Sequence, residues 1–168
     1  MSRIRKFGMI MLFGIVGCKS ANKNVPVSSN EESMTMDKVR LKDLKENAIN
    51  MGEYKGKTVF INFWATWCRP CLEEMPSIQA AINKLKNESI VFLFASDEAS
   101  EDIENFKTSH SYNFNFVKVE NLEELNIMTL PTTYIFDQKG KLVFSEMGYK
   151  KWDDIQNTDL ILNIIKAK

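Results

Sequence analysis

The chain has 168 residues, 44% of them hydrophobic and 26% charged, with a formal net charge of zero. That length suits one domain of ordinary size, and the composition is globular rather than disordered. No basic excess points to nucleic acid, and the single histidine, His110, excludes a His-rich metal site.

Arg3, Arg5 and Lys6 open the chain with no acid beside them, and an uncharged apolar run follows from Phe7 to Gly17. Its eleven residues fall short of the ~20 that a spanning helix needs. The pattern fits a secretory signal peptide over residues 1–17 rather than a buried N-terminal helix. Ile15-Val16-Gly17-Cys18 resembles the lipobox of bacterial lipoproteins. The resemblance implies cleavage after Gly17, diacylglycerol on the Cys18 sulfur and acylation of the new N-terminus. Each buried CH₂ then contributes ~0.8 kcal/mol to anchoring. Residues 18–36 would form the lipidated cysteine and a flexible tether, polar and rich in Ser and Asn. Such a tether has an end-to-end distance of roughly 25 Å. The folded domain would span residues 37–168 and stand close to a membrane.

Val39–Leu44 alternates apolar and polar residues briefly and predicts a short edge strand or turn. Residues 45–57 read as loop, with turn signals at Gly52 and Gly56-Lys57. Thr58–Trp64 is a β-branched and aromatic run broken by one polar residue, Asn62, the pattern of a central strand buried on both sides. Leu72, Met75, Ile78, Ile82 and Leu85 recur at helical spacing over residues 70–86. Pro76 within that stripe predicts a kink, not a stop. Ile90–Ala95 reads as a second buried strand. Ser100–Ser109 reads as a helix with acids in its first turn. Phe114–Val119 is strand-like, and Leu122, Leu125 and Ile127 suggest a short helix before Pro131. Thr132–Phe136, the turn Asp137–Gly140 and Lys141–Ser145 form a hairpin. Ile155, Leu160, Ile161, Ile164 and Ile165 mark the last helix. The order β-α-β-α-β-α-β-β-α predicts an α/β fold: a mixed central sheet with helices on both faces and a C-terminal antiparallel hairpin.

Cys68 and Cys71 lie two residues apart, where the first buried strand hands over to a helix. Such a pair can close into a disulfide and reopen. The unpaired N–H groups and positive dipole at a helix start favour a thiolate on Cys68, and Arg69 adds positive charge. Cys68 would be the nucleophile, and Cys71, one turn on and more buried, would resolve the mixed disulfide. Pro70 in the first turn needs no donor and stiffens the pair. A purely structural bond is disfavoured because so small a ring removes little chain entropy, and structural zinc needs four ligands. Glu74 shares the Cys71 face of the helix and could take up or return its proton. Glu73 is expected to face water.

Phe63-Trp64-Ala65-Thr66-Trp67-Cys68-Arg69-Pro70-Cys71, with Leu130-Pro131-Thr132-Thr133 and a hairpin further on, resembles the thioredoxin superfamily. Within it, Trp-Cys-Arg-Pro-Cys-Leu-Glu-Glu-Met-Pro behind a lipoprotein tether resembles the membrane-anchored TlpA/ResA-like oxidoreductases. The resemblance implies a thioredoxin-like fold and an exported thiol–disulfide oxidoreductase of the cell envelope. It implies the reducing direction, electrons from a membrane thiol transporter, disulfide-bearing protein substrates and, among these, thiols of apocytochrome c. It also implies that Glu74 influences the cysteines, that Pro131 is cis, and that the backbone of Leu130 is free to pair with substrate. Trp67 would be a contact surface and Trp64 core. Asn62 departs from thioredoxins proper, which place a titratable Asp there. No cofactor, metal or nucleic acid is expected. The weighed alternatives are a disulfide-forming oxidant on the same fold, a peroxiredoxin-type peroxidase and a copper chaperone. The peroxidase needs a Thr where Ala65 stands, and the chaperone needs a wider Cys spacing and a His ligand.

Overall fold

In a computed structural model, residues 34–167 are described. Seven strands form one mixed sheet: β1 (Leu41–Lys42), β2 (Ala48–Ile49), β3 (Thr58–Phe63), β4 (Ile90–Ser96), β5 (Phe116–Val119), β6 (Thr132–Phe136) and β7 (Leu142–Met147). Their order across the sheet is β2-β1-β5-β4-β3-β6-β7. Three α-helices intervene: α1 (Arg69–Lys84), α2 (Ser100–Ser109) and α3 (Ile155–Lys166). β3 is buried at all six positions, as its β-branched and aromatic run requires. It pairs in parallel with β4 and antiparallel with β6, while β5 extends the parallel part and β7 closes the hairpin.

Alternation along the strands sorts side chains onto two faces. Phe60, Phe94, Phe116 and Ile135 share a core with Met75 and Ile78 of α1, Ile103 and Phe106 of α2, and Ile161 and Ile165 of α3. Val59, Ile61, Phe63, Val117 and Phe136 form the other core. Met36 and Met51, from 3₁₀ helices at Met36–Lys38 and Met51–Tyr54, cover that second face with Leu125 and Ile127. Both faces are therefore covered, the three α-helices lying together on one and the 3₁₀ helices on the other.

Several local expectations change. β1 is not the sheet edge; it pairs with β5 on one side and β2 on the other. The edge strand β2 and a 3₁₀ helix occupy the stretch expected to be loop. An Asp43 carboxylate oxygen accepts from the Lys45 and Asn47 N–H groups and turns the chain back. The helix expected at 122–127 is a single turn closed by a Schellman motif. Ile127 N–H donates to the Leu122 carbonyl, Asn126 N–H to the Glu123 carbonyl, and Asn126 takes the left-handed φ of 55°. β5 begins at Phe116, and Phe114 instead stacks on Phe94 at 3.7 Å between ring centroids. α1 continues through Pro76.

Met34 and Met36, expected to belong to the tether, bond to the folded domain: Met36 N–H donates to the Gly140 carbonyl and Leu142 N–H to the Met34 carbonyl. Met36 is buried against the second core. The signal peptide at 1–17, Cys18 and the tether up to residue 33 lie outside the described residues. Among the described residues, no helix is long and apolar enough to cross a membrane.

Candidate active site

β3 ends at Phe63, and the parallel ladder reaches one residue further, where Trp64 N–H donates to the Ala95 carbonyl. A turn closed by Cys68 N–H on the Ala65 carbonyl then delivers the chain to α1. Cys68 is the N-cap of that helix, and its sulfur accepts from Cys71 N–H at 3.3 Å. The two cysteines form a disulfide with Cα atoms 5.3 Å apart. Cys68 keeps 4% of its surface and Cys71 none. Cys68 is thus the accessible member of the pair, though less open than the sequence suggests.

The helix start has no acid in its first turn to oppose a thiolate. Arg69 contributes less than expected, because its Nε pairs with Glu73 Oε1 at 2.8 Å and both side chains stand in water. The start of α1, with Cys71 N–H already directed at the sulfur, favours a thiolate on Cys68.

Glu74 is fully buried, not solvated. Asn62 Nδ2 donates to its Oε1 at 2.7 Å, and Lys150 N–H donates to its Oε2 at 3.1 Å. Burial pushes its carboxyl up from 4.5 to about 7, against the lowering pull of the Lys150 N–H and the Asn62 amide. The helical spacing puts Glu74 on the same buried face as Cys71. The loop between β7 and α3 locks that face again where Trp152 N–H donates to Ser77 Oγ at 3.1 Å.

The Leu130–Pro131 peptide is cis. Thr132 pairs with Phe63, so Pro131 abuts the end of β3 from which the cysteine loop departs. The Pro131 carbonyl accepts from Gly148 N–H at 2.7 Å. Leu130 packs against the core that contains both cysteines. Its backbone N–H and carbonyl form no hydrogen bond among the described residues. Trp67 is 73% exposed beside Cys68, whereas Trp64 is fully buried against Phe106 and Phe116 at 4.7 and 5.3 Å. Trp64→Ala is expected to lower stability by ~3–5 kcal/mol, read from urea denaturation.

Sequence reasoning missed Glu98. From the loop after β4 its carboxylate accepts from Thr66 N–H at 2.7 Å, Thr66 Oγ1 at 2.6 Å and Ser96 Oγ at 3.0 Å. It fixes the turn that presents Trp67 and Cys68. The available signal was an acid just past a strand expected to run parallel to β3. Glu98→Ala should cost ~1–3 kcal/mol of stability in the same denaturation measurement. Met128, Met147 and Tyr149 were also missed. They are exposed near the cis-proline segment, Met147 through its pairing with Thr132.

Among the described residues, no group of three or more His, Cys, Asp and Glu side chains could hold a metal ion. The chemistry this arrangement supports is reversible two-electron exchange between a dithiol and a disulfide.

Residues 34–145 match the model of the AhpC/TSA family. A thiol-disulfide oxidoreductase ResA of Bacillus cereus is 29% identical over 158 residues, covering 89% of this chain and 91% of that protein. The thioredoxin-like protein YneN of Bacillus subtilis is 32% identical over 149 residues, covering 83% and 86%. Among solved structures, the exposed lipoprotein thioredoxin Etrx1 of Streptococcus pneumoniae superposes with a TM-score of 0.58 at 26% identity, covering 76% of this chain and 96% of that one.

Proposed function

The chain belongs to the AhpC/TSA family and is a thioredoxin-like thiol–disulfide oxidoreductase; on that premise we propose that it reduces disulfides of other proteins outside the cytoplasm. The observation that carries this reading is the Cys68–Cys71 disulfide at the start of α1, beside an unpaired Leu130 backbone and cis-Pro131.

In the reduced protein, the Cys68 thiolate attacks one sulfur of a substrate disulfide, and the substrate's other sulfur leaves as a thiolate. Cys71 gives its proton to Glu74. The Cys71 thiolate then attacks Cys68 Sγ, the mixed disulfide breaks, and the substrate's second sulfur also leaves as a thiolate; one of the two takes the proton that Glu74 releases and the other a proton from water. Two electrons pass to the substrate, and the Cys68–Cys71 bond closes. A carboxyl with a pKa of about 7 can accept and release that proton near neutral pH. Leu130 pairs with an extended substrate segment, and Trp67 packs against it.

Lipidation at Cys18 would hold the domain at a membrane, and the lipoprotein Etrx1 supports that reading by its similarity. A thiol-reducing membrane transporter would return the electrons. Apocytochrome c cysteines awaiting haem are one substrate class consistent with this direction. Equilibrium with dithiothreitol redox buffers tests the direction. A midpoint near or below ~−270 mV supports the reductant, and one near ~−120 mV replaces it with the oxidant. A peroxidatic reading is disfavoured by Ala65, which is buried and has no hydroxyl three residues before Cys68.

A further inference from the structure

Among the described residues, the polar groups of other side chains and loops that face the Glu74 carboxylate meet it as donors. Asn62 Nδ2 on β3 and the Lys150 N–H after β7 form hydrogen bonds. The Trp152 indole N–H faces the same carboxylate and forms none of proper geometry. The other charged groups nearby are turned away: the Lys150 ammonium binds Glu146 and lies over the Phe144 and Trp152 rings. Cys71, one turn earlier on α1, is the remaining titratable group and titrates only when reduced.

This set suits the ionised carboxylate. It does not suit the acid, whose O–H must donate to an acceptor or remain buried at a cost. Among the described residues, Asn62 Oδ1 is a buried acceptor with no partner. Both hydrogens of the Asn62 amide are engaged, one on Glu74 Oε1 and the other on Thr133 Oγ1 at 3.1 Å. Half a turn about the Asn62 Cβ–Cγ bond exchanges the amide nitrogen and oxygen. Oδ1 then accepts from a protonated Glu74 and from the Thr133 hydroxyl. A hydroxyl both donates and accepts, so Thr133 fits either setting.

We propose that Asn62 is a positioning residue whose side-chain amide reverses as Glu74 gains and loses a proton, with Thr133 as the hydroxyl that serves both settings. The proposal deepens, and rests on, the assignment of Glu74 as the proton acceptor of Cys71. In that step the Cys71 S–H bond breaks and a Glu74 O–H bond forms, with no electron transferred. An Asp at position 62 could not do this. Its carboxylate would meet that of Glu74 at hydrogen-bond distance, and the two would share one proton.

The test uses the oxidised protein with ¹⁵N and ¹³C labels, in which the disulfide removes both thiols from the titration. The Glu74 carboxyl carbon and the Asn62 side-chain amide are expected to titrate with one midpoint near 7. The nuclear Overhauser contact from the Asn62 amide protons to Thr133 should fade on the acid side and return on the basic side. Glu74→Gln should make the Asn62 signals independent of pH. Asn62→Leu should move the Glu74 midpoint little, because a reversing amide bonds both the charged and the protonated carboxyl and its loss costs both. A contact to Thr133 that persists across the Glu74 titration overturns the proposal, as does a Glu74 midpoint raised by about one unit or more in Asn62→Leu, the mark of an amide that donates to the charged form alone. Failure of the underlying reading looks different: Glu74→Gln would leave the pH profile of disulfide reduction unchanged.

Discussion

Cys68→Ser abolishes steady-state reduction of protein disulfides, a loss of at least ~10³-fold in kcat/KM. Cys68 is the helix N-cap and the member of the pair with surface left to attack from. Serine preserves the cap, because its hydroxyl accepts from the Cys71 N–H as the sulfur does. The fold therefore survives while the nucleophile is lost. Cys71→Ser behaves differently. It retains the first attack and loses resolution, so each molecule reacts once and stops. An insulin-reduction assay with alkylation of the residual thiol separates the two variants.

The second large effect is on stability and follows from the burial of Glu74. In the unfolded chain this carboxyl titrates near 4.5, and in the folded protein near about 7. Between those values the folded protein keeps a proton that the unfolded chain has released. Stability from this group is therefore fully present below about 4.5 and is lost as pH rises through about 7. At 1.36 kcal/mol per unit, the whole shift corresponds to roughly 3 kcal/mol. Glu74→Gln cannot ionise and has no such slope. The variant is expected to match the native protein near pH 5 and to exceed it by up to ~3 kcal/mol at pH 8. Urea denaturation of the oxidised forms at the two pH values measures this. A constant difference between them would place the ionised carboxylate in a better-solvated setting than its hydrogen bonds indicate. The stability lost between about pH 4.5 and about pH 7 is the cost of keeping a titratable carboxyl in the core.

The parts of this molecule that were readable in advance are those with strong local patterns. β3 declared itself by an unbroken β-branched and aromatic run, α1 by its apolar stripe, and the site by Cys68-Arg69-Pro70-Cys71 between them. The cis bond before Pro131 has no local signal and was reached through resemblance alone. What stayed hidden depends on partners distant in sequence. Helical spacing placed Glu74 on the Cys71 face, but its burial is completed by Asn62 and by the backbone of Lys150, 76 residues away. Glu98 meets Thr66 only because β3 and β4 lie side by side. β1 and β2 have two residues each, too short for a period to register, and are held by the polar turn at Asp43. At 122–127 the apolar spacing was right, since Leu125 and Ile127 are buried. The left-handed Asn126 nevertheless stops the helix after one turn.

Asn62 illustrates the same limit in the site itself. From sequence it reads as a missing acid. In the fold it is the amide that donates to the Glu74 carboxylate, so the titratable group has moved from the strand to the helix.

Trapping shows whether Cys68 and Cys71 form a working exchange centre with Cys68 as the attacking sulfur. The full chain carrying Cys71→Ser is expressed in cells, thiols are quenched with acid, and disulfide-linked complexes are mapped by mass spectrometry. Mixed disulfides joining Cys68 to cysteines of other proteins are expected, and none from the matching Cys68→Ser chain, whose Cys71 is fully buried. An absence of complexes on Cys68, or equal trapping through Cys71, would contradict the assignment of Cys68 as the attacking sulfur.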